Sequence, residues 1–432
     1  MTTDYRAAAQ RIVDTLFEVH PKLDYRTPMS LLQAKARRCI EQTANCDTPG
    51  AFHRLIAGFV HTIGDPHVWF DMPRKRVAAP AWLLLVDGLP VVGDPVTDGL
   101  PVSRGDAILR VNGRDARSLL YERLERLSYV QGGWGLQRAA DGLLYFDVDE
   151  APGDEVDLLI ASGGGQVRRV TLPLWPSEAK AFATFERNCR ADWLRRLMHA
   201  SWRDDADAAV LTYRSCQDRH SDGVVRWGAE VGLAPGDIPT MADVCAHLFP
   251  EMRRRGTQRL VIDLRANGGG SDRVTAPLYP YLFDGDLRIS GISWRITPTA
   301  QSLRKDLRER PLGDHHVPPR ATPCPGAPDR FAGRVTALID AGTSSSGEGI
   351  ATVLRDNGRA TFIGEPTGGG PSAGNVLSVP IPEVGGTLHC GCSLFHRPGP
   401  EQGAVYPDVL VHPTLADFRA GRDVVLETAL RL

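Results

Sequence analysis

Over residues 1–64, apolar positions recur at helical spacing. Ile12, Val13, Leu16 and Phe17 share one face of a segment from Ala7 to Val19, and Leu31 to Thr43 and Ala51 to Ile63 repeat the style, with Pro and Gly between them. This predicts a small helical cap. The pattern then changes at Ile63-Gly64-Asp65-Pro66-His67-Val68, where a helix ends, a Gly-Asp-Pro turn follows and a β-rich run begins. His67 therefore stands at a helix-to-strand junction, a place from which a side chain can be aimed into a cleft. A lone histidine there is more often a packing or surface residue, and nearby His61 is at no metal-ligand spacing from it.

Residues 77–175 are strand-rich. Ala81 to Val86 and Leu89 to Val92 are apolar runs, and Gly105-Asp106-Ala107-Ile108-Leu109-Arg110-Val111-Asn112-Gly113 reads as turn, strand and Asn-Gly turn. Leu119 to Leu127 reads as a helix, and Val156 to Ala161 with Val167 to Leu172 as a hairpin. This order resembles a PDZ domain, in which a peptide adds as a strand; the plain alternative is a small β-domain that binds nothing. Residues 176–432 alternate strand and helix, which implies a mixed or parallel sheet with right-handed crossovers. The strands are Ala208 to Tyr213, Arg259 to Leu264, Arg334 to Ile339, Ala360 to Ile363 and Thr387 to Phe395. The helices are Met241 to Arg255, Ser271 to Phe283 and Gly349 to Asp356. Thr297 to Arg330, rich in Pro and Arg, reads as a surface excursion. The expected organisation is thus an α/β, multidomain chain: a helical cap (1–76) carrying His67, a PDZ-like domain (77–175) and an α/β core (176–432).

Composition narrows the function classes. A chain of 432 residues with 42% hydrophobic and 24% charged residues is an ordinary globular protein, and a net charge of −2 offers no basic footprint for nucleic acid. No run approaches the length of a membrane span, and the polar start Met1 to Arg11 shows no secretory signal. The eight cysteines are scattered without a CxxC pair, which argues against zinc and for reduced thiols in a cytoplasmic protein. No dinucleotide or P-loop glycine pattern is present, so no cofactor and no metal are expected. Among the 50 basic side chains only Lys22, Lys35, Lys75, Lys180 and Lys305 are lysines.

Candidate chemistry centres on Asp340-Ala341-Gly342-Thr343-Ser344-Ser345-Ser346-Gly347-Glu348, a tight small-residue turn between a buried strand and a helix. A serine there sits at the helix N-terminus, where backbone N–H groups without intrahelical partners can stabilise a developing anion. The plain alternative is an N-cap with a capping box, Ser345 reaching to Glu348.

Three segments in order, Leu260-Val261-Ile262-Asp263-Leu264-Arg265-Ala266-Asn267-Gly268-Gly269-Gly270, Asp340 to Glu348, and Gly364-Glu365-Pro366-Thr367-Gly368-Gly369-Gly370, resemble the C-terminal-processing (tail-specific) serine peptidase family, which includes the tricorn core protease. The resemblance implies a crotonase/ClpP-like ββα core. It implies Ser345 as nucleophile, with an oxyanion hole from the N–H of Ser346 and one of the Gly268 and Gly269 amides. Many members use a lysine after the Gly-Glu-x-Thr segment, but here Gly370 stands in that place and the last lysine, Lys305, lies upstream of Ser345. The tricorn-like branch uses an N-terminal histidine instead, which points to His67 as base, with Glu401 before the Val405-Tyr406-Pro407-Asp408 segment as its orienting carboxylate and Asp65 and Glu365 as rivals. The implied function is a serine peptidase acting through an acyl-enzyme on peptides or protein C-termini, with no nucleic-acid partner and a homo-oligomer admitted. The alternatives are a non-proteolytic acyl hydrolase or cyclase, and a ligand-binding protein on an inactive scaffold.

Overall fold

The computed structural model describes residues 4–96, 99–370, 373–399 and 401–432. The chain divides into two compact units, one of Met1–Phe182, Gly291–Pro318 and Ser372–His396, the other of Ala183–Ser290, Pro319–Pro371 and Arg397–Leu432. Among the described residues, no helix is long and apolar enough to cross a membrane.

In the first unit the expected helices form over Tyr5–Val19, Met29–Gln42 and Pro49–His61. Two of them begin at a side-chain cap: Asp4 accepts from the Ala7 N–H and Thr48 from the Ala51 N–H. Their apolar faces, including Ile12, Leu16, Leu32, Phe52 and Ile56, pack on an antiparallel sheet. In that sheet the long strand Gly386–His396 pairs with Trp69–Asp71, Ala373–Ile381 and Gly291–Ile296, and Gly291–Ile296 in turn pairs with Gly313–Val317. The expected surface excursion is therefore corrected over its first half. Ala300 and Leu307 are fully buried, and the guanidinium groups of Arg304 and Arg310 lie 5.3 and 5.5 Å from the Trp294 ring centroid. The arginines that looked like solvent-facing charge cover an aromatic ring instead.

The strand-rich region forms a second sheet in the order Ala81–Val86, Leu89–Val96, Ala107–Val111, Glu155–Ala161, Val167–Pro173. A helix over Gly132–Asp141, which the sequence concealed behind three glycines, contributes Ala139 and Ala140 to its core.

The second unit holds a six-stranded sheet in the order Met198–Arg203, Ala208–Tyr213, Arg259–Asp263, Arg334–Ile339, Thr361–Gly364, Val409–Leu410. The first pair is antiparallel and the rest are parallel. Its strands read as unbroken apolar runs because both faces are covered. Leu260, Ile262, Ala337 and Ile339 face one cluster with the helix Met241–Arg255, while Val261, Leu338 and Ile363 face another with Val425 and Ala429. The fold is a mixed α/β multidomain architecture.

Candidate active site

The strand Arg334–Ile339 delivers the chain to a turn, and the helix Ser346–Asp356 leaves it. Ser345 sits between them with φ 52° and ψ −129°, a conformation that non-glycine residues rarely adopt and that the surroundings must hold. They do so with a dense set of bonds. Asp340 Oδ1 accepts from the N–H groups of Ala266 (2.8 Å), Gly342 (2.9 Å) and Thr343 (3.0 Å). The Thr343 hydroxyl donates to the Leu264 carbonyl at 2.8 Å, and the Ser344 N–H donates to the Asn267 carbonyl at 2.9 Å.

The capping-box alternative does not describe this turn. Ser345 makes no side-chain capping bond. Glu348 is fully buried, and its carboxylate accepts from the Gly369 and Gly370 N–H groups at 3.0 and 2.7 Å and from the Thr367 hydroxyl. The Gly-Glu-x-Thr loop is thus pinned by the helix that follows the serine, and Gly370, standing where a lysine would be, lends only its backbone.

Against the serine runs the glycine segment. Gly269 has φ +93°, and a Cβ placed on it would lie 2.7 Å from Ser345 Cβ and 2.7 Å from Ser346 N. Only glycine permits that approach. The Gly269 N–H itself donates to Asn267 Oδ1 at 3.0 Å. The remaining expected donors are the N–H groups of Gly268 and Ser346, for which no partner is found among the described residues. Asn267, fully buried, holds the loop: its side-chain amide also donates to the Tyr213 carbonyl at 2.9 Å. Sequence reasoning passed over Asn267, although its place beside three glycines was a usable signal.

His67 lies in the first unit, just before the strand Trp69–Asp71. Asp65 Oδ1 accepts from the His67 backbone N–H at 2.8 Å and lies 3.3 Å from His67 Nδ1. An Asp two residues before its partner is a natural local capping arrangement, and Pro66 fixes the turn between them. Asp65 is buried; burial alone would raise its carboxyl, but hydrogen bonds from His20 and His67 hold it well below the usual carboxylate range. Of the other two carboxylates weighed, Glu365 pairs with His412 Nδ1. Glu401 is exposed, 3.7 Å from Arg397. Among the described residues no group of three or more His, Cys, Asp or Glu side chains could hold a metal ion.

Residues 236–403 match the model of peptidase family S41. No curated protein matches the chain. Among solved structures, mature CPAF complexed with lactacystin is similar with a TM-score of 0.75 at 15% identity, covering 99% of this chain and 98% of that one. A putative peptidase from Parabacteroides merdae is similar with a TM-score of 0.51 at 12% identity, covering 100% and 96%. Identities this low speak for the fold; the family rests on the matched core, with its serine turn, glycine segment and pinned Gly-Glu-x-Thr loop. Residues 236–403 thus carry the core of peptidase family S41, and the fold of the chain is similar to that of CPAF.

Proposed function

We propose that the protein is a serine-type peptidase that cleaves peptide bonds through an acyl-enzyme on Ser345. The observation that carries this reading is the serine at positive φ, at the head of a helix, with a glycine segment packed on its Cβ. Such a turn leaves a hydroxyl presented rather than spent on capping. In the proposed reaction, the Ser345 oxygen attacks the substrate carbonyl while its proton passes to His67 Nε2. The Gly268 and Ser346 N–H groups donate to the oxyanion, each such donor contributing about 2.7–4 kcal/mol in the transition state. His67 then gives the proton to the leaving amine, and water attacks the acyl group by the reverse route.

Two carboxylates compete to orient His67. The resemblance names Glu401; the hydrogen bonds of His67 name Asp65, and we take Asp65. Substrates of the peptide or protein C-terminus class, a peptide strand added to the small sheet, a division of labour among 1–76, 77–175 and 176–432, self-association and cytoplasmic residence belong to the same proposal.

The test is covalent labelling by a fluorophosphonate probe. Wild type is expected to label, with both Ser345→Ala and His67→Ala losing the signal. Labelling that survives Ser345→Ala removes the nucleophile assignment. A folded wild type that neither labels nor cleaves a peptide library favours the ligand-binding reading.

A further inference from the structure

Beneath His67 the first unit buries a second histidine. His20 and Asp65 are 0% and 1% exposed, and His20 Nε2 lies 2.6 Å from Asp65 Oδ2. The other oxygen of the same carboxylate faces His67. The tautomer of His20 follows from its second nitrogen. Nδ1 lies 3.2 Å from the Lys22 backbone N–H, which can only donate, so Nδ1 must present a lone pair. The proton is then on Nε2, and the ring is neutral and donates to Asp65. We propose that His20 is a positioning residue for the reaction, fixing through its Nε2–H the carboxylate that orients His67. The proposal rests on the reading of His67 as the base.

The surroundings make His20 the group that governs this carboxylate from below. Tyr25 meets the His20 ring edge-on at 6.2 Å between centroids, and Arg295 Nη1 donates to the His20 carbonyl at 2.9 Å. The Tyr25 hydroxyl is pushed up by burial and by the charges of Asp65 and Asp24; the Cys390 thiol is pushed up by burial and then by Asp65. Neither is ionised near neutrality. Lys22 acts through its backbone, so the formal negative charge at the centre of this cluster is that of Asp65. A buried carboxylate that loses one of its donors becomes more basic. With that carboxylate altered, the acidic limb of the labelling profile is expected to move upward. A role in folding alone would lower the yield of active protein at every pH and leave that limb in place.

The experiment measures the rate of fluorophosphonate labelling against pH for the full chain as wild type, His20→Gln, His20→Phe and His67→Ala. Glutamine can offer an N–H near the lost Nε2; phenylalanine fills the space and offers none. The acidic limb of His20→Phe is expected about one pH unit above wild type, a roughly tenfold slower labelling on that limb, with His20→Gln close to wild type. A limb unmoved in folded His20→Phe, or moved equally in both variants, overturns the proposal. Unchanged labelling in His67→Ala overturns the reading beneath it instead. Should His20→Phe fail to fold, nitrogen NMR of wild type decides: His20 is expected as the Nε2–H tautomer that its two hydrogen bonds require, and an imidazolium or an Nδ1–H tautomer overturns the proposal.

Discussion

At Asn267 one side-chain amide satisfies two backbone groups at once, accepting from Gly269 and donating to Tyr213, inside a loop whose carbonyl also receives the Ser344 N–H. Replacing it by alanine strands a buried carbonyl and frees the glycine segment that lies against Ser345. Asn267→Ala is expected to destabilise the protein by about 1–3 kcal/mol in urea unfolding and to slow labelling of Ser345 by more than the lost stability explains. Unchanged labelling in the folded variant would remove Asn267 from the support of the site. The same residue shows the limit of a linear reading. The glycines beside it announced a close backbone approach, but which neighbour approached, and which amide was already engaged, depended on a strand some 54 residues upstream.

At the scale of elements, the turn at Ser345 is shaped as much by the helix after it as by the strand before it. Glu348 sits at the spacing of a capping box, yet it points inward because three donors on the Gly-Glu-x-Thr loop await it there. Local spacing favoured the cap; the tertiary set of donors outweighed it. In the first unit, the helix Pro49–His61 meets the strand Trp69–Asp71 through His53, whose Nε2 lies 3.0 Å from the Phe70 carbonyl. Burial and the neighbouring Arg74 lower this histidine to about 4. The folded state therefore keeps His53 neutral at pH values where the unfolded chain, with an ordinary pKa of about 6.5, takes up a proton. Its share of stability is complete above about pH 6.5 and is lost as pH falls toward about 4. Wild type should lose more stability across this window than His53→Gln in paired denaturant titrations; equal losses would exclude His53 as a source.

At the scale of the whole molecule, the first unit is built from three separated stretches of chain. The strand Trp69–Asp71 pairs with Gly386–His396, and the core of the helical segment includes Trp294, Leu377, Leu388 and Cys390. A fragment ending at Phe182 lacks these partners, leaving one face of the helices open to water. It is expected to unfold without a cooperative transition and to bind a hydrophobic dye. A sharp two-state transition would show that the helices and the small sheet suffice.

The sequence by itself determined the period of each element, the switch from helical to strand pattern at Gly64, and the glycines and small residues that let a serine turn form, because side-chain spacing and backbone freedom are local properties. It also excluded a lysine downstream of Ser345, by inventory alone. Only the tertiary structure decided that Gly291–Ile296 and Gly313–Val317 pair within a sheet, that Glu348 braces a loop rather than a cap, and that His20 stands behind Asp65. Each of these depends on which distant groups remain to be hydrogen-bonded or covered once water is excluded, and no short window of sequence contains both partners.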